Sequence, residues 1–75
     1  MKQLIEILED VNPGVDYNTC TDLVDGGYLN SLSILAIVAE LEEAFDIVIS
    51  TVEVTPKNFN SAQSLWEMVL RLKEE

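Results

Sequence analysis

The chain has 75 residues, enough for one domain with a small core. Fourteen acidic residues against four basic ones give a net charge of −10, and there is one cysteine and no histidine. That balance repels nucleic acid and anionic lipid heads. The missing histidine removes the usual general base and the commonest metal ligand. Lone Cys20 excludes an internal disulfide or a cysteine-based metal cluster.

These counts direct the search for partners toward proteins with basic patches. They also imply self-repulsion in the folded state, so added salt or divalent cation should stabilise the chain. No stretch approaches the ~20 apolar residues of a membrane span, and no basic region leads into a long apolar run at the N-terminus. The expectation is a single domain over residues 1–75, cytoplasmic, with nothing that requires an oligomer.

The first predicted helix runs from Lys2 to about Val11. Leu4, Ile5, Leu8 and Val11 share one face, while Glu6, Glu9 and Asp10 face out. Asn12-Pro13-Gly14 should end it, because the residue before proline is pushed out of the helical region and glycine allows a reversal.

Residues 15–30 show no clear periodicity. A connection this long inside a small domain is uncommon and points to function. Val15, Tyr17, Leu23, Tyr28 and Leu29 are apolar pins that should hold it against the rest. A calcium loop starting at Asp22 fails, since Val24, Gly26 and Ser33 fall where ligands are required.

The loop ends in Asp25-Gly26-Gly27-Tyr28-Leu29-Asn30-Ser31-Leu32, and a second helix runs from there to about Phe45. Ser31 lies at the positive end of this helix's dipole, a suitable place for a phosphate. Either Asn30 or Ser31 could cap the helix. Ile34, Ile37, Val38, Leu41 and Phe45 form a core face, with Ser33, Ala36, Glu40 and Glu43 opposite. Leu32, Leu35 and Ala39 form a narrow flank strip with Glu42 beside it. That strip serves either a wide core stripe or a docking face.

Asp46-Ile47-Val48-Ile49-Ser50 is β-branched, but no second strand is available to pair with it. It reads as an extended link whose Ile47 and Ile49 plug the core. Thr55 should cap a short third helix with Pro56 as its first residue. Asn60 and Gln63 read as a capping box for a last helix running to about Lys73, with Leu65, Met68, Val69 and Leu72 facing inward. Trp66 sits off the centre of that stripe. The predicted fold is all-α, a four-helix bundle with a short third helix and a long loop between the first two helices.

The constellation Asn30-Ser31-Leu32, then Leu41-Glu42-Glu43-Ala44-Phe45, resembles the acyl carrier protein family across essentially the whole chain. The family pattern is Asp-Ser-Leu followed by a helix ending in Leu-Glu-Glu-x-Phe. The resemblance implies that Ser31 bears 4′-phosphopantetheine, transferred from coenzyme A by a separate phosphopantetheinyl transferase that supplies the base and the magnesium. It implies a non-enzymatic carrier that holds acyl or aminoacyl groups as thioesters for fatty-acid, polyketide or related biosynthesis. The loading ligase or synthase would dock on Leu32, Leu35 and Ala39, with Glu40, Glu42 and Glu43 as acidic contacts.

The sequence departs from fatty-acid-synthesis members at Asn30, Ser33, Ala36 and Ala39. These changes lower the negative charge near Ser31 and count against housekeeping fatty-acid enzymes as partners. Thr55-Pro56-Lys57-Asn58-Phe59 looks more like specialised stand-alone carriers, including those of D-alanine transfer. The competing reading is an unmodified acidic interaction module of the same fold. A small catalytic protein ranks last.

Overall fold

A computed structural model describes residues 1–74. The described chain is all-helical: α1 (Lys2–Val11), α2 (Ser31–Phe45), a 3-10 turn (Thr51–Glu53), α3 (Pro56–Phe59) and α4 (Ala62–Glu74). Helix α1 packs on α2, α3 on α4, and α4 touches both α1 and α2. The all-α bundle with a short third helix and a long first connection is therefore borne out.

Periodicity and punctuation explain the elements. Leu4 and Leu8 are fully buried, with Ile5, Ile7 and Val11 packed partly buried around them. Helix α1 stops at Asn12, whose N–H reaches Leu8 O at 2.8 Å, and Gly14 turns the chain with φ +93°. On α2, Ile37 and Leu41 are fully buried, and Ile34, Val38 and Phe45 are partly buried against the same core. The helix ends at Asp46 in the left-handed conformation, φ 55°.

The link beyond Asp46 alternates as expected. Ile47 and Ile49 are buried while Val48 points outward. Ser50 then starts the 3-10 turn by accepting the Val52 N–H. Thr55 caps α3 and Pro56 opens it. Phe59 enters the core beside Leu65, Met68 and Val69 of α4. Trp66 is half-buried and meets Phe45 edge-on at 5.8 Å between centroids.

Two expectations change. Asn60 is not the cap of α4: the Ser64 N–H bonds to Ser61 Oγ at 3.0 Å and the Leu65 N–H to Ser61 O at 3.0 Å. Gln63 bonds forward to Glu67 and does not complete a capping box. The serine does the capping because Asn60 is engaged elsewhere. Tyr28 is not a pin either; it is half exposed, and Tyr17, Leu23 and Leu29 carry the anchoring.

Candidate functional site

The α1–α2 loop is folded onto the bundle by a small set of bonds. Tyr17 donates its hydroxyl to Asn12 O, and Asn12 Nδ2 donates to Tyr28 O at 2.6 Å. The Leu29 N–H bonds to Leu23 O at 2.9 Å, which closes residues 23–29 into a loop within the loop. Inside it, Gly26 is packed so tightly that a Cβ would lie 2.6 Å from Asp22 O, and Gly27 takes φ +79°. Both glycines are therefore required by this turn.

The turn delivers Ser31 to the start of α2. Asn30 is the cap: its backbone is extended and its Oδ1 accepts the Ser33 N–H at 2.9 Å. Ser31 is the first helical residue and is exposed, and among the described residues no group hydrogen-bonds its hydroxyl. The division of labour is physical. One side chain satisfies the orphan helix donors, so the next keeps its oxygen free at the positive end of a 15-residue helix.

The flank strip is open. Leu32 is 77% exposed and Leu35 65%, and Ala39 is exposed on the same side. No acidic residue lies in the first turn of α2. The carboxylates gather toward its other end, where Glu40 and Glu43 are exposed. Glu42 is half-buried and its Oε2 accepts the Ile49 N–H at 2.8 Å, so this carboxylate is already used within the chain.

A cavity of about 130 Å³ lies against the inner side of α2, lined by Val24, Ile34, Val54, Thr55, Pro56 and Phe59. It reaches one turn beyond Ser31. A wider groove of about 630 Å³, lined by Glu53, Lys57, Glu67 and Arg71 among others, includes no residue of α2. Among the described residues no group of histidine, cysteine, aspartate and glutamate is arranged to hold a metal ion. No helix among them is long and apolar enough to cross a membrane.

Outside the serine's surroundings, Glu53 ties three elements together. Arg71 donates both guanidinium arms to its carboxylate, and Asn58 Nδ2 reaches Glu53 O at 2.8 Å. The Arg71 hydrogen bond, helped by its charge and by Asn58, holds the Glu53 carboxyl below its ordinary value. Burial pushes the Tyr17 hydroxyl up, against a smaller lowering effect of the Asn12 side chain.

The chain is 29% identical over 76 residues to a protein named D-alanyl carrier protein from Lactobacillus delbrueckii subsp. bulgaricus. The match covers 99% of this chain and 94% of the relative, and a second strain's protein of the same name matches equally. This supports membership of the acyl carrier protein family. No family model matches the chain, and no solved structure matches it. The likeness supports a carrier role and, in general terms, a phosphopantetheine group.

Two residues that hold the loop before Ser31 carry no sequence signal for that role. Asn60 binds the serine's loop from the α3–α4 junction, and Asn12 binds it from the end of α1. Each looked like an ordinary helix-end residue, and no local signal distinguishes that role from a long-range one.

Proposed function

We propose that this carrier bears 4′-phosphopantetheine on Ser31 and shuttles a small aminoacyl group between enzymes. The observation that carries the reading is the capping of α2 by Asn30, which leaves the Ser31 hydroxyl exposed and unengaged. When bound, the group supplies a thiol on a flexible arm, which holds cargo as a thioester at high effective concentration beside a docked enzyme. Ser31 supplies the oxygen of the phosphodiester link. Leu32, Leu35 and Ala39 offer the apolar docking surface, and Glu40 and Glu43 its acidic rim; Glu42 contributes by holding the end of α2.

D-Alanine is the first cargo to try, because the relatives are named for it. The cavity favours small cargo as well. At about 130 Å³ it is of the size that takes up one benzene-sized group, well short of a long acyl chain. Fatty-acid and polyketide synthesis are thereby less favoured settings. The partners are a phosphopantetheinyl transferase and a loading ligase with a basic rim. The residues from 1 to 75 act as one carrier unit.

The test is intact mass after incubation with coenzyme A, magnesium and a broad-specificity phosphopantetheinyl transferase, on wild type and Ser31→Ala. The expected result is a gain of one phosphopantetheine in the wild type alone. No gain with several transferases, at preserved helicity, would leave an unmodified acidic interaction module as the function.

A further inference from the structure

Asn60 bonds to three consecutive loop residues from the α3–α4 junction. Its main-chain oxygen accepts the Leu23 N–H at 2.8 Å. Its Oδ1 accepts the Val24 N–H at 3.0 Å and the Asp25 N–H at 3.1 Å. Its Nδ2 donates to Asp25 Oδ2 at 3.0 Å. The relay continues, because Leu23 O accepts the Leu29 N–H at 2.9 Å, two residues before Ser31.

We propose that Asn60 is the positioning residue that holds the serine-bearing loop, and with it the Asp25 carboxylate, in the conformation a phosphopantetheinyl transferase reads. The inference rests on the assignment of Ser31 as the attachment point. Three features separate this role from simple anchoring. The apolar anchors Leu23 and Leu29 already bury the loop's base. The exposed stretch at Asp25 and Gly26 lies beyond them, and the Asn60 side chain fixes its near end. Capping of α4 is performed by Ser61, so the amide of Asn60 is not needed for the helix.

The chemistry of the contact selects an amide. One oxygen must accept two N–H groups while the other end donates to a carboxylate. An aspartate here would keep the acceptors but set a second carboxylate against Asp25 in a chain already at −10. The first turn of α2 has no acidic residue. Asp25 is the acidic residue nearest Ser31 along the chain, so its orientation contributes to the field a basic partner meets there.

The experiment measures Ser31 modification kinetics for wild type, Asn60→Ala, Asn60→Asp and the double variant Asn60→Asp with Asp25→Asn, which restores one donor and keeps the acceptors. Leu72→Ala, a substitution near the end of α4 at a residue that makes none of these hydrogen bonds, reports the effect of lost stability alone. All are assayed where circular dichroism shows full helicity, and amide exchange is followed at Val24 and Asp25. The expected result is a rise of about tenfold in KM for Asn60→Ala and Asn60→Asp with kcat little changed. Exchange at the two amides should accelerate in Asn60→Ala, and the double variant should recover KM. Wild-type KM in Asn60→Ala, a loss no greater than in Leu72→Ala, or no recovery in the double variant would overturn the role of Asn60 while leaving Ser31 as the site. No modification of the wild type would overturn both.

Discussion

Glu42 and Ile49 are joined by a hydrogen bond of 2.8 Å from the Ile49 N–H to Glu42 Oε2. It ties the last turn of α2 to the link that seats Ile47 and Ile49 in the core. Replacing Glu42 with alanine should cost about 1–2 kcal/mol, since a half-buried N–H loses a charged acceptor. Glu42→Gln, which keeps an acceptor oxygen, should cost clearly less. Urea titration of both variants checks the ranking; equal costs would mean the bond adds nothing.

Asp46 should be improvable. It sits at φ 55° just after α2, where side chains are strained and a negative charge faces the helix's negative end. Asp46→Gly should therefore stabilise the chain by about 0.5–1 kcal/mol. A lower melting temperature for this variant would contradict the strain argument.

The cap and the serine should respond separately. Asn30→Ala should cost about 1 kcal/mol of stability. Asn30→Asp keeps the cap, adds a favourable dipole contact and brings a carboxylate next to Ser31. It should hold or raise the melting temperature and speed modification by transferases that read an acidic residue there. Melting curves and modification rates, measured on the same samples, distinguish the two effects.

Docking should show the opposite pattern. Leu32 and Leu35 are largely exposed, so Leu35→Ala should change stability by no more than about 0.5 kcal/mol. Loading by a cognate ligase should fall in this variant. Glu43→Gln should slow loading chiefly at low salt, because an exposed rim charge acts on the on-rate. Loading kinetics at two ionic strengths decide the matter.

Two electrostatic effects differ in their pH and salt dependence. The net charge of −10 predicts a melting temperature that rises with sodium chloride or millimolar divalent cation. Glu53 adds a local acid-side effect. Its folded carboxyl titrates below its ordinary value of 4.5, so its stabilising contribution is complete above about that pH and is lost as pH falls through the depressed value. The stability gap between wild type and Glu53→Gln should narrow over that acid range. A gap independent of pH would mean the Arg71 contact does not favour the charged form.

The elements of this protein were legible in its sequence because their signals are local. A 3.6-residue apolar repeat marks α2, proline and glycine punctuate the end of α1, and Thr55-Pro56 opens α3. The choice of Asn30 over Ser31 as cap was open in the sequence and was settled by the bond to Ser33. Tertiary structure alone decided where side chains with two possible partners went. Asn60 could have capped α4, yet it bonds to residues 35 and 36 positions away, and Ser61 takes over the cap. Glu42 could have faced a partner, yet it receives Ile49. Tyr28 could have been buried, yet Leu29 takes the core position beside it. A polar group bonds wherever the packed helices leave a donor or acceptor unmet, and that inventory exists only once the chain has folded.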